Sequence, residues 1–277
     1  MARTKRKKPT AKRVWGICLR VALAAAVALG ALQLGWLLRP TDQTQPLPAL
    51  QESPYSPEDF YWEDGFLQCA AAEIKMGIDV SSHQGVIDWD KVKAAGVEFV
   101  FVRLGNRGYG DGKLYEDRFA AENLRGAKKA GLAVGAYVFS QAVSVAEAEE
   151  EAAFALERLE GITLDMPLVF DWEYVSETAR TANVSRRTLT DATAAFCRKA
   201  EAAGYEAMVY FNVTQARDLL YLEELTAYKF WLAMYDTTMA FPCKVDFWQY
   251  TSTGKIDGIA GDVDINMMFL HKKQISA

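Results

Sequence analysis

From residue 74 onward, apolar residues fall into two alternating rhythms. Short, densely apolar runs occupy 76–80, 99–104, 134–139, 168–170, 207–211, 230–234, 245–248 and 263–268. They are rich in Val, Ile, Phe, Tyr and Trp, the side chains that suit a pleated, buried strand. Between the earlier runs lie longer amphipathic stretches, 88–95, 116–130, 145–159 and 185–203, each followed by a glycine (Gly96, Gly131, Gly161, Gly204) in the place of a helix stop. Strands alternating with helical crossovers predict an α/β fold. Eight strands in about 200 residues favour closure into an irregular (β/α) TIM-like barrel over a doubly wound open sheet. The last three connections are too short or irregular for full helices, so the helical ring is expected to be incomplete.

The run Leu168-Val169-Phe170-Asp171-Trp172-Glu173 carries the densest chemistry. Side chains alternate along a strand, so Asp171 and Glu173 share one side and Trp172 takes the other. Two like charges at the end of an apolar strand do not both ionise easily, and one pKa rises. One protonated carboxyl beside one charged carboxylate is what acid-assisted cleavage of a glycosidic bond requires. An isolated D-x-E is more often a strand end whose acids cap the next helix, so the pair needs support from elsewhere in the chain.

That support comes from the other strand ends. Chemistry in a barrel of parallel strands sits at their C-terminal ends. The first strand ends in Asp79, the third in Tyr137 and Phe139, and the fifth in Tyr210. The sixth carries Trp231 and Tyr235, the seventh Trp248 and Gln249, and the eighth Asp264. Four acids and a ring of aromatics therefore converge on one mouth. Flat apolar faces with polar handles, set over carboxylates, suit a sugar polymer and suit a nucleotide poorly.

The polarity before residue 74 is different. Residues 1–39 hold nine Lys or Arg and no acid, which leaves 22 basic and 36 acidic residues in 40–277, a net charge of −14. So acidic a body argues against nucleic acid as a partner, and none is expected. Residues 14–38 are long and apolar enough to cross a bilayer. The basic cluster ahead of them places the N-terminus in the cytoplasm and the body outside. The expected organisation is a basic cytoplasmic tail (1–13), one transmembrane helix (14–38), a Pro-rich tether with a short helical lead-in beginning near Ser56-Pro57 (39–72), and a catalytic barrel (73–277). Cleavage of a signal peptide, giving a secreted protein, is the alternative.

Other site classes find little support. His83 and His271 are far apart and lack metal-ligand spacing, so no metal and no cofactor are expected; His83 lies near the expected mouth, where a substrate contact and a structural role are equal alternatives. Gly105, Gly108, Gly110 and Gly112 lack the Lys-Ser/Thr of a phosphate loop and read as a turn. Beyond Cys18, Cys69, Cys197 and Cys243 are an odd set, compatible with one disulfide or with buried thiols.

The residues also carry a family resemblance. Gly77-Ile78-Asp79-Val80-Ser81-Ser82-His83-Gln84-Gly85 with Ile87-Asp88-Trp89 resembles the opening of family 25 glycoside hydrolases, the Chalaropsis-type lysozymes. The similarity continues in order through Phe101-Val102-Arg103, Gly135-Ala136-Tyr137, Phe170-Asp171-Trp172-Glu173, Trp231-Leu232-Ala233-Met234-Tyr235 and Trp248-Gln249-Tyr250, and it closes at Asp262-Val263-Asp264-Ile265-Asn266.

The resemblance implies an irregular β/α barrel cleaving the β-1,4 bond from N-acetylmuramic acid to N-acetylglucosamine in peptidoglycan. It implies Glu173 as general acid, Asp171 as the second acid of the pair, and Asp79 and Asp264 as the other acids of the pocket. Tyr137, Phe139, Tyr210, Trp231, Tyr235, Trp248 and Gln249 are the expected sugar contacts. One departure is Val138, which stands where the family often has His. Strand alternation turns position 138 away from Tyr137 and Phe139, so a modest effect is expected. The expected partners are peptidoglycan glycan strands and a membrane, met by a monomer. An inactive wall-binding module, or a tethered scaffold binding a partner through residues 60–67, are the alternatives.

Overall fold

A computed structural model describes residues 49–270. The expected cytoplasmic tail, transmembrane helix and first part of the tether, together with His271, lie outside the described residues. Among the described residues, no helix is long and apolar enough to cross a membrane.

A hairpin of β1 (Phe60–Glu63) and β2 (Phe66–Cys69) precedes the barrel. The barrel strands are β3 (Glu73–Val80), β4 (Phe99–Arg107), β6 (Ala133–Ser140), β7 (Leu168–Trp172), β8 (Ala207–Asn212), β9 (Lys229–Ala233), β10 (Phe247–Gly254) and β11 (Val263–Leu270). They pair in the order β3-β11-β10-β9-β8-β7-β6-β4, and a β3–β4 ladder closes the ring. Four helices serve the early crossovers: α1 (Trp89–Ala94), α2 (Ala120–Lys129), α3 (Val145–Arg158) and α4 (Arg186–Ala202). Asp88, Ser144 and Ser185 cap three of them, each side chain accepting from a backbone N–H three residues on. Among the described residues after β8, only a π-helical turn (Gln215–Leu219) and a 3-10 turn (Leu222–Glu224) stand where crossover helices would, so the helical ring is incomplete there.

Strand alternation sorts the apolar side chains into two layers. Phe99, Phe101, Val169, Met208, Trp231 and Phe247 fill the barrel interior, where Phe101 stacks on Trp231 at 4.7 Å. Their strand neighbours, such as Val100, Val102, Val138, Phe170 and Val209, belong to the outer layer under the helices. Val138 thus faces away from the mouth, as alternation requires.

Three expectations are corrected. The barrel is not wholly parallel: β11 runs antiparallel to both β10 and β3. Only residues 255–262 separate β10 from β11, too few for the crossover that a parallel return needs. The stretch 116–130 is not all helix. Its first residue ends β5 (Leu114–Glu116), which pairs antiparallel with the end of β4, and the helix starts at Ala120. The lead-in is not helical beyond a single 3-10 turn at Pro57–Asp59, where Ser56 N donates to Asp59 Oδ2 at 2.8 Å. It continues as the β1–β2 hairpin through Asp64-Gly65, whose φ angles of 49° and 85° suit the tight turn. The hairpin packs on the barrel, with Phe60 edge-on to Trp248 at 5.1 Å. Residues 51–53 also lie against 242–244, through Ser53 N to Pro242 O and Lys244 N to Gln51 O. Cys69, Cys197 and Cys243 are free thiols.

Candidate active site

The C-terminal ends of the parallel strands surround a cleft of about 180 Å3. Asp79, Tyr137, Phe139, Asp171, Glu173, Tyr210, Trp231, Tyr235, Gln249 and Asp264 all line it. Asp79, Asp171 and Tyr210 arrive from the ends of parallel strands. Asp264 arrives differently: it lies at the start of β11, and the reversed direction of that strand brings its N-terminal end to the same mouth.

Trp248 does not join them. It is fully buried in the outer layer, where its Nε1 donates to Met234 O at 2.8 Å. Phe247 and Gln249 occupy the inward positions of β10, and a strand cannot turn adjacent residues to one face. Trp172 is outward for the same reason, with Nε1 donating to Ala142 O.

A hydrogen-bond network fixes the floor. Asp79 Oδ2 accepts from Gln249 Nε2 and from Asn266 Nδ2, each at 2.8 Å. Gln249 Oε1 accepts from the Tyr210 and Tyr235 hydroxyls, both at 3.0 Å. Trp231 Nε1 donates to Asn266 Oδ1 at 2.8 Å. Both amides are thereby oriented, their donors turned to Asp79 and their oxygens held by rings.

Four carboxyls sharing a desolvated cleft all hold their protons more tightly than usual. Burial pushes Asp79 up to about 6 against the two amide hydrogen bonds, and burial with the neighbouring Asp79 pushes Asp264 up to about 8. Asp171 is driven well above the ordinary carboxylate range by burial and by the Glu173 and Asp79 charges, with Arg103 opposing. Its Oδ1 is buried without a hydrogen-bond partner. Glu173 is raised by burial and by the Asp264 charge.

Sequence reasoning passed over several residues here. Arg103 lines the cleft and is anchored by Asp117, with its Nε 2.9 Å from Oδ2, and by Ser82 Oγ at 3.2 Å from Nη2. Ser81 and Gln84 line the cleft from the loop after β3, and His83, which the sequence already set near the mouth, lines it with them. Asn266 was legible as an inward position of β11, two residues after Asp264.

The profile of glycosyl hydrolases family 25 matches residues 78–259, well over half of the chain. The chain belongs to glycosyl hydrolase family 25. Among its relatives, lysozyme M1 of Streptomyces globisporus is 29% identical over 202 residues, covering 69% of this chain and 66% of that protein. The autolytic lysozyme of Clostridium acetobutylicum is 26% identical over 191 residues, 69% of this chain and 54% of the relative. This family 25 chain thus spans between about half and two thirds of the curated relatives it matches. The modular autolysin LytC of Streptococcus pneumoniae, solved with a synthetic peptidoglycan ligand, superposes with a TM-score of 0.63 at 26% identity, over 76% of this chain and 52% of that one. A family 25 glycosyl hydrolase from Bacillus anthracis shares the fold, with a TM-score of 0.62 at 21% identity over 79% of this chain and 97% of the other.

Proposed function

We propose that the protein is a muramidase that hydrolyses the β-1,4 bond from N-acetylmuramic acid to N-acetylglucosamine in peptidoglycan. The observation that carries this reading is the position of Glu173, in a cleft shared with Asp79, Asp171 and Asp264, where burial and the Asp264 charge favour its protonated form. A carboxyl held protonated can give its proton to the leaving glycosidic oxygen as the bond to the anomeric carbon breaks. Water then adds at that carbon and returns its proton to the Glu173 carboxylate. The lysozyme relatives and the peptidoglycan ligand of LytC support the choice of polymer.

Asp171 either stabilises the positive sugar centre or orients the substrate's own N-acetyl group as nucleophile. The buried, unpartnered Oδ1 favours the second role, because an N-acetyl N–H would satisfy it. Asp79 and Asp264 hold the sugar or the water, and Tyr137, Phe139, Tyr210, Trp231, Tyr235 and Gln249 form the walls. The basic residues before position 14 and the apolar stretch 14–38 support a single-pass anchor with the barrel outside the membrane.

The test incubates the full-length chain, and its Glu173→Gln variant, with purified peptidoglycan and identifies the new chain ends by mass spectrometry. Reducing N-acetylmuramic acid ends that are absent with the variant are expected. Reducing N-acetylglucosamine ends or anhydro ends would overturn the bond or the mechanism. Binding without new ends would establish a wall-binding module instead.

A further inference from the structure

The backbone around Glu173 is held by two buried amide side chains that the sequence did not single out. The β7–β8 ladder runs from Leu168↔Ala207 to Asp171↔Tyr210 and stops, and the β6–β7 ladder stops at Ser140↔Trp172. The carbonyls of Trp172 and Glu173 therefore lie where the sheet no longer supplies donors. Gln215, from the π-helical turn after β8, donates Nε2 to the Trp172 carbonyl. Gln141, the residue after β6, donates Nε2 to the Glu173 carbonyl at 2.6 Å. These two carbonyls belong to the peptide planes on either side of the Glu173 Cα. Fixing both planes fixes its φ and ψ, and with them the direction of the Cα–Cβ bond. Among the described residues, no hydrogen bond holds the Glu173 carboxyl itself.

Each amide is braced in turn. Gln141, fully buried, accepts from Thr181 Oγ1 at its Oε1 (3.2 Å), and its backbone carbonyl accepts from Arg180 Nη1 at 2.7 Å. Arg180 is clamped on both oxygens of Glu147, at 2.6 and 2.8 Å. Gln215, 2% exposed, accepts from Asn212 N at 2.7 Å, and its own N donates to Asn212 Oδ1 at 3.0 Å. A buried primary amide is costly unless its donors and acceptor are matched, and here each orientation is set by its partners.

We infer that Gln141 and Gln215 are positioning residues for the acid, gripping the backbone on both sides of Glu173 so that its otherwise unheld carboxyl is presented to the cleft. This rests on the reading of Glu173 as general acid. Capping of two orphaned carbonyls and positioning of the acid would both cost stability on substitution, but only positioning moves the chemistry.

The test takes the full-length chain with Gln141→Met or Gln215→Met, which keep length and remove the donor, beside Glu173→Gln. Rates on soluble glycan strands are measured at temperatures where circular dichroism shows the native fold. Positioning predicts that kcat falls by up to about 100-fold with KM unchanged, the scale of a misplaced catalytic group. A loosened Glu173 reaches water, its pKa drops, and the alkaline limb of kcat/KM moves to lower pH. The double variant should be little worse than either single one, since both act through one group. Thr181→Val keeps both amides and frees only the orientation of Gln141; it gives the same signature more weakly and reports even if neither methionine variant folds. Folded variants with wild-type kcat and an unmoved alkaline limb, beside an inactive Glu173→Gln, would overturn the clamp alone. An active Glu173→Gln would overturn the acid assignment, and the clamp with it.

Discussion

Asp79 on β3 is the direct ladder partner of Asp264 on β11, across one of the two antiparallel pairings of the barrel. Like charges set opposite each other on one sheet face repel, and here neither is fully hydrated. The fold therefore stores an electrostatic cost at its own seam, on the face that lines the cleft. Bringing the two acids together in the cleft and stabilising the barrel are opposed.

That opposition predicts a pH dependence of stability. Both groups bind protons more tightly folded than unfolded, since their values of about 6 and about 8 exceed the ordinary 3.8. Their contribution is fully present below the unfolded value and is lost as pH rises through about 6 for Asp79 and about 8 for Asp264. Urea midpoints should fall between pH 5 and pH 8. For Asp79 the whole change, from below its unfolded value of 3.8 to above about 6, is on the order of 3 kcal/mol, and roughly half of it falls between pH 5 and pH 8. Asp79→Asn and Asp264→Asn should each flatten the slope, and slopes equal to wild type would refute the account.

Gln249 joins Asp79 to the Tyr210 and Tyr235 hydroxyls. Gln249→Met should leave the buried Tyr210 hydroxyl without its acceptor and Asp79 with Asn266 as its one side-chain donor. The expected cost is about 1–3 kcal/mol in chemical denaturation. Because the lost hydrogen bond favours the charged form of Asp79, the fall in stability with rising pH should also steepen.

Trp248 and Tyr235 should separate cleanly. Trp248→Ala empties a fully buried outer-layer position and should cost about 3–5 kcal/mol, leaving KM of the folded enzyme unchanged. Tyr235, 58% exposed in the cleft wall, should do the reverse on change to Ala: KM rises with little loss of stability. The same KM effect from both would return Trp248 to the cleft.

The barrel interior owes its aromatic filling to absent side chains. A Cβ at Gly77 would overlap the Phe99 ring, and one at Gly135 the Phe101 ring. Gly77→Ala or Gly135→Ala should destabilise by about 1–3 kcal/mol, while Gly110→Ala, in open space, should be close to neutral in thermal melts.

Much of this was legible in the chain. Period-2 alternation puts Asp171 and Glu173 on one face and Trp172 on the other, and the structure has them so. The same rule, applied to Phe247-Trp248-Gln249, would have turned Trp248 outward. Asp64-Gly65 is likewise a hairpin signal carried by the sequence.

Local pattern determined which residues form strands, which of their faces is apolar, and which strand ends carry acids. These follow from backbone sterics and the 2.0 and 3.6 residue periods, which act within a few residues of each position. Tertiary closure decided the rest: the reversed direction of β11, the pairing of Asp79 with Asp264, and the reach of Gln141 and Gln215 to the carbonyls flanking Glu173. Those contacts join residues far apart in sequence, and they exist only once eight strands share one ring whose open hydrogen-bonding positions must be filled by whatever side chains stand nearest.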